Sequence, residues 1–288
     1  MTKKLLSQFS LKWNPFLKNA PIEGLLISPQ IEGFCRLVEQ TMAQFDGFAM
    51  VSGISGLGKS VVLRILRERL EGLRDAVVRQ IERPSSSVAD FYREMGDVFA
   101  VPLRPHNRWC GFKNLRAQWE AHIDGTLLRP ILLIDEAQDM HPAVLNELRL
   151  MSSTRFDSRQ ILSVVFAGDQ RFPEKLKHET LISLGSRMRR RLLLEKRTPK
   201  ELLEILTHLV TAAGNPRLMT PELRTALAEH LLGNPRVMAN TAAELLMMAA
   251  EREQGQLDEK LFLEYSGSPR PHTSNTGSRR SSGKRKSC

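Results

Sequence analysis

Three cysteines in 288 residues, Cys35, Cys110 and Cys288, are too few and too irregularly spaced for a disulfide framework. No CxxC pair exists, and His106 near Cys110 lacks a second ligand pair, so a zinc site is not expected either. Long apolar runs are also missing. Leu245 to Ala250 is among the longest at six residues, whereas a bilayer span needs roughly 20, so no segment reads as crossing a membrane. The opening MTKKLLSQFSLKWNPF has no apolar h-region and no small-residue cleavage site, which makes a secretory signal unexpected and a cytoplasmic location the expectation. No internal repeat is visible. Aromatics are sparse at 6%, yet apolar residues reach 41%, an ordinary share for a globular chain, which excludes wholesale disorder.

Acid is the scarcer charge: 32 acidic against 42 basic side chains leave +10. Six of those positive charges, Arg270, Arg279, Arg280, Lys284, Arg285 and Lys286, follow the last acid, Glu264, so the rest of the chain carries +4 (10 minus 6). A polyanionic partner is favoured, and charge alone does not choose between DNA, RNA and an acidic protein.

From Phe48 to Glu195, short β-rich apolar runs alternate with amphipathic stretches, the pattern of a three-layer α/β fold with a parallel sheet. Strands are expected over Phe48 to Gly53, Ala76 to Ile81, Pro130 to Asp135, Leu162 to Gly168 and Arg191 to Glu195. Helices are expected over Ser60 to Glu71, Val88 to Phe99, Phe112 to Ile123, Pro142 to Met151 and Pro173 to His178. After Glu195 four helices follow, Pro199 to Ala213, Pro221 to Leu232, Pro235 to Gln254 and Asp258 to Tyr265, with Thr198, Thr220 and Asn234 as N-caps ahead of early prolines. The expected divisions are an N-terminal extension (1–45), an αβα domain (46–197), an all-helical second domain (198–265) and a basic tail (266–288) too poor in apolar residues to order itself.

Gly53 to Ser60, GISGLGKS, matches GxxxxGK[ST] between an apolar strand and an amphipathic helix. Through Gly53, Ile54, Ser55, Gly56, Leu57, Gly58 and on to Val61, such a loop turns successive N–H groups toward phosphate oxygens at a helix N-terminus. Lys59 then reaches the β and γ phosphates and the Ser60 hydroxyl ligates Mg²⁺. A second strand, ILLIDE, ends on two carboxylates 76 residues after Lys59. Asp135 is expected to hold the Mg²⁺ shell and Glu136 to polarise the attacking water. Together the motifs predict a protein that binds ATP with Mg²⁺ and hydrolyses it.

With GISGLGKS, ILLIDEAQD and a helical segment carrying GNPR, residues 14–265 resemble an AAA+ ATPase with a helical lid. Within that superfamily the chain is similar to transposition regulators of the TnsC, TniB and MuB type and to their secretion relative ExeA. The residues that carry this are FSLKWNPF, LLISPQIEGFCRLV, GFAMVSGISGLGKS, AGDQRFPEKL and SRMRRRLLLEKRTPKEL. The resemblance implies a sensor at Asp169, an acidic departure from the usual Asn, Thr or Gln, with Gln170 as the alternative. It also implies an arginine finger acting between subunits, Arg187 first and Arg190 second, unless that basic run is a DNA-facing edge, and a second sensor at Arg236.

The same resemblance implies copies assembling on DNA as a ring or filament, with a transposase or integrase as partner. The alternatives are a secretion-type switch that assembles a non-DNA protein complex, or a protein like a helicase loader. Backbone contacts to DNA are expected from Arg83, with Ser85 to Ser87, and from LRPHNRWCGFK through Arg104, Arg108 and Lys113. Trp109, near a helix start, reads as a core or interface residue, or else one that stacks on sugar or base.

Overall fold

A computed structural model of the chain describes residues 3–43, 47–81, 87–101, 108–126 and 129–267. In chain order, the helices α1 (Lys3–Gln8) and α2 (Pro29–Ala43) precede β1 (Phe48–Gly53), α3 (Lys59–Glu71), β2 (Ala76–Ile81), α4 (Val88–Phe99), α5 (Arg108–Thr126), β3 (Arg129–Ile134) and α6 (Pro142–Met151). A short antiparallel pair, β4 (Ser153–Thr154) and β5 (Arg159–Gln160), leads to β6 (Ser163–Gly168), α7 (Arg171–Lys175), α8 (Ile182–Gly185) and β7 (Met188–Leu194). The helices α9 (Pro199–Ala212), α10 (Pro221–His230), α11 (Pro235–Glu251) and α12 (Glu259–Gly267) complete the described chain.

Five strands form one parallel sheet in the order β2-β3-β6-β1-β7. Both faces are covered, so β1 and β6 are buried at every residue and read as continuous apolar runs rather than alternating ones. Phe48 and Met50 of β1 pack toward the α4, α5 and α6 side, while Ala49 and Val51 pack toward α2 and α3. This is the three-layer αβα arrangement around a parallel sheet expected from the sequence. It places the carboxyl ends of β1, β3 and β6 side by side, where a ligand site belongs in an open α/β sheet.

Several element limits differ from the sequence expectation. β7 starts at Met188, not Arg191, because Arg189, Arg190 and Arg191 lie along an edge strand that tolerates charge. The helix after β6 runs over Arg171–Lys175 rather than Pro173 to His178, and α5 begins four residues before Phe112. The β4-β5 pair was not expected. Its turn holds Arg155, Phe156 and Asp157 at φ of 52°, 57° and 72° and leaves Phe156 fully exposed.

The helical region matches its N-cap expectations. Thr198 forms a capping box with Glu201, the Thr220 hydroxyl accepts from the Leu223 N–H, and Asn234 Oδ1 accepts from the N–H groups of Arg236 and Val237. Its core draws on the N-terminal segment, since Phe9, Leu11 and Phe16 are buried in the same cluster as Leu202, Leu245 and Phe262. The Lys12 N–H donates to the Ala213 carbonyl at 2.9 Å, and Asn215 Nδ2 donates to the Phe9 carbonyl at 2.8 Å. Arg64 of α3 holds the next stretch of that segment by the carbonyls of Lys18 and Ala20. Apart from Ser266 and Gly267 at the end of α12, the basic tail lies outside the described residues.

Candidate nucleotide site

The loop after β1 turns on glycines whose backbone a side chain would not accept: Gly56 has φ +89° and Gly58, at the N-cap of α3, has φ +102°. Lys59 opens α3, is 7% exposed, and donates from Nζ to the carbonyls of Gly53 (3.0 Å) and Ile54 (3.3 Å). Its ammonium is therefore folded back into the loop that it follows. Ser60 and Asp135 line one cavity of about 320 Å³ together with Arg64, Arg67 and Gln80. A hydroxyl and a carboxylate converging on one space are hard oxygen donors of the kind Mg²⁺ takes, so the residues present fit that ion.

Asp135 extends the β2-β3 ladder, its N–H donating to the Ile81 carbonyl at 3.3 Å, and its Oδ1 accepts from the Glu136 N–H at 2.9 Å. Glu136 turns the chain out of the strand at φ +51° and has an exposed side chain. Its Oε2 accepts from Gln138 Nε2 at 2.6 Å.

Asp169, one residue past β6, turns its carboxylate to Arg171. Oδ1 accepts from the Arg171 N–H and Oδ2 from Nε, each at 2.8 Å. Partial burial pushes this carboxyl up, but the side-chain and backbone hydrogen bonds from Arg171, with the charges of Arg171 and Lys59, hold it below its ordinary value. Gln170 is exposed at the start of α7.

The helical region touches the loop directly. Asn234 Nδ2 donates to the Ser55 carbonyl at 3.0 Å, Arg236 donates from its N–H to the Gly56 carbonyl at 3.2 Å, and its guanidinium reaches Ser55 Oγ at 3.0 Å. A Cβ on Gly56 would sit 2.3 Å from Asn234 Oδ1, so this glycine is also required by close approach. Arg236 thus lies against the loop that follows β1. Asn234 carries a second role that its reading as an N-cap did not include, signalled only by the GNPR motif.

The arginines before and along β7 lie elsewhere. Arg187 pairs with Asp157 in the β4-β5 turn at 2.5 Å, Arg190 Nε donates to Thr41 Oγ1 at 3.1 Å, and Arg191 donates to the Met188 and Gly185 carbonyls. Strand register sets Met188 against Phe48 and Leu194 against Gly53. Arg187 therefore stands at the end of the sheet opposite the loop, some five residues or roughly 17 Å of strand away.

Of the expected DNA contacts, Arg83 and Arg104 lie outside the described residues, as do Ser85 and Ser86, and Arg108 is described only as the first residue of α5. Lys113 is described, with Nζ 4.9 Å over the Trp109 ring. Of the readings of Trp109, the core one is corrected: it is 65% exposed and stacked on Phe112 with centroids 5.9 Å apart, while Trp119, ten residues further on, is the buried one. The helix starts earlier than expected, which puts Trp109 in its first turn and Trp119 on the core-facing side.

Residues 43–176 match the family model described as AAA domain. Over 145 residues the chain is 30% identical to general secretion pathway protein A of Aeromonas hydrophila, a match that covers 49% of this chain and 26% of that protein, so the chain spans about a quarter of that curated relative. Among solved structures, the ADP form of the Aeropyrum pernix ORC2 protein has a TM-score of 0.67 at 16% identity, covering 87% of this chain and 70% of that one. Drosophila ORC bound to DNA has a TM-score of 0.66 at 16% identity, covering 93% and 67%. At these identities the structures share the fold alone. Among the described residues no helix is long and apolar enough to cross a membrane.

Proposed function

We propose that the chain is an ATPase that binds MgATP, assembles as copies on DNA and, in its ATP-bound form, marks a DNA target and recruits or activates a transposase or integrase, hydrolysis releasing the assembly. The observation that carries the ATPase reading is the convergence of Ser60 and Asp135 on one cavity, with Lys59 at the loop beside it and Glu136 next in the chain. Mg²⁺, held by Ser60 and Asp135, would neutralise charge on the β and γ phosphates. Lys59 exchanges two carbonyl acceptors for phosphate oxygens, a stronger charge-assisted contact. Glu136 is the residue placed to orient and deprotonate the attacking water. Arg236 and Asn234 join the helical region to the loop, so phosphate-dependent movement of the loop is passed on through them.

The separation of Arg187 from its own loop supports a role between subunits, because one arginine side chain does not span that length of strand. In an assembly it would reach a neighbour's γ phosphate after leaving Asp157. DNA as the surface for assembly is supported by the excess of positive charge, by the cationic and aromatic surface of Trp109 and Lys113, and by the structural likeness to an ORC described as bound to DNA. The transposition role rests on the resemblance carried by the sequence motifs.

A second reading, a switch assembling a non-DNA complex, is favoured by the 30% identity to a secretion pathway protein. Filter binding of labelled duplex DNA, with and without a non-hydrolysable ATP analogue, separates the two. Nucleotide-dependent retention supports the first reading, and no retention at any protein concentration that supports turnover overturns it.

A further inference from the structure

The mechanism so far leaves Gln138 unused, although it is the buried polar side chain nearest in sequence to Glu136, at 7% exposure. Its amide is committed at both ends. Nε2 donates to Glu136 Oε2 at 2.6 Å and to Asp139 Oδ2 at 3.3 Å, and Oε1 accepts from the Asp169 N–H at 2.9 Å. Chemistry fixes the amide orientation, since a backbone N–H only donates and a carboxylate only accepts. Gly168 leaves the room: a Cβ there would lie 3.1 Å from Gln138 Oε1 and 2.7 Å from Phe172 Cβ. The link continues through Arg171, which binds Asp169 and reaches Asp139 Oδ1 at 3.3 Å. Lys175 holds the backbone beneath by the carbonyls of Gln138 and Met140, at 2.7 and 2.6 Å.

We infer that Gln138 is a positioning residue, which holds the Glu136 carboxylate in one orientation and ties it to the end of β6 at Asp169. The inference rests on the proposed role of Glu136 in hydrolysis. Glu136 is otherwise an exposed side chain on a left-handed backbone residue with three side-chain torsions, and among the described residues the Gln138 amide is the hydrogen-bond partner given for its carboxylate. A donor amide on Oε2 selects one arrangement and leaves Oε1 for a water. Because the other end of the amide sits on the Asp169 N–H, a shift of the β6 end on binding a γ phosphate would move the glutamate through a rigid buried link.

Gln138→Glu separates this role from a merely structural one. The new carboxylate retains an acceptor for the Asp169 N–H but offers no donor to Glu136 and repels it. Full-length wild type, Glu136→Gln, Gln138→Glu, Gln138→Ala and the Glu136→Gln/Gln138→Ala double variant would be compared for MgATP turnover, for affinity for a fluorescent ATP analogue and for thermal midpoint. The expected result is a fall in kcat of about 10- to 100-fold for both Gln138 variants, with affinity within about threefold of wild type. In the Glu136→Gln background, where only the slow residual rate of a single turnover is left to read, the Gln138→Ala change should lower that rate no further, since a residue acting through another is non-additive with it.

A Gln138→Glu rate equal to wild type, an equal loss in the two backgrounds, or an affinity loss as large as the kcat loss would each overturn the inference. Wild type without turnover, or Glu136→Gln turning over at the wild-type rate, would instead overturn the ATPase reading beneath it.

Discussion

Asn234 grips the phosphate loop by its backbone: Nδ2 donates to the Ser55 carbonyl while Oδ1 of the same amide caps α11. One side chain thus closes a helix and clamps a loop 179 residues earlier in the chain. Asn234→Ser keeps a capping oxygen and loses the reach to Ser55. The expected outcome is a thermal midpoint close to wild type with MgATP turnover or affinity lower by up to about tenfold, the equivalent of one hydrogen bond. Gly56→Ala should be worse on both counts, because its Cβ has no space beside Asn234 and its φ is positive. Melting curves and nucleotide titrations on the two variants check this.

Lys59→Ala should abolish ATP binding, whereas Glu136→Gln should retain binding and stop turnover, trapping the ATP-bound assembly. Lysine contacts charge present in the ground state, and glutamate serves only the chemical step. Equilibrium binding of a labelled nucleotide alongside phosphate release distinguishes the two, and equal loss of binding in both would refute the division of labour.

Arg187→Ala should lower the catalytic rate by about 10³ or more with little change in ATP affinity. Mixing it with Lys59→Ala subunits should restore part of the activity, because each protomer then supplies what the other lacks at one interface. If no mixing ratio gives rescue, Arg190→Ala is the next variant to pair. Failure of both argues that the run faces DNA or serves its own subunit.

The Asp169 carboxyl, held below its ordinary value by Arg171, contributes stability that is present above the unfolded carboxyl's pKa of about 3.9 and lost as pH falls through the lower folded value. In Arg171→Gln the folded and unfolded values approach each other, so the drop in urea midpoint between pH 7 and pH 3 should shrink. The change stays small, because the Arg171 side chain is 68% exposed and solvent screens the pair. An unchanged pH dependence would remove Arg171 as the cause.

The basic tail is expected to add non-specific phosphate contacts. With six positive charges after Gly267, its deletion should flatten the slope of log DNA affinity against log salt by up to about 5 units and leave DNA-independent hydrolysis unaltered. Superimposable salt series for full-length and truncated chains would assign the tail to a protein partner or to solubility.

What was legible in the sequence was local. GISGLGKS, the ILLIDE strand end and the three helix caps are each contained within a few consecutive residues, and each appears where its spacing placed it. The missed features join distant parts of the chain or depend on which side an element turns. No periodicity announces that Gln138 meets Asp169, 31 residues on, or that Asn234 meets Ser55. Three consecutive arginines mask the start of β7, because an edge strand accommodates charge that a central strand would not, and nothing in the sequence around Trp109 says whether the first turn of α5 faces the core or solvent.

Phe9, Leu11 and Phe16 belong to a core otherwise built from residues beyond 200. In synthesis from the N-terminus, these apolar side chains leave the ribosome before the whole αβα layer and wait for it before their partners exist. Contacts that close so late are slow to form and expose a sticky segment in the meantime. The same arrangement joins the helical region to the N-terminal segment, which returns to the sheet through the stretch from Lys18 to Ala20 that Arg64 holds. The helical region is therefore joined to the sheet by the chain at two points, one before the phosphate loop and one after β7, so any rotation of it would turn about two attachments rather than one.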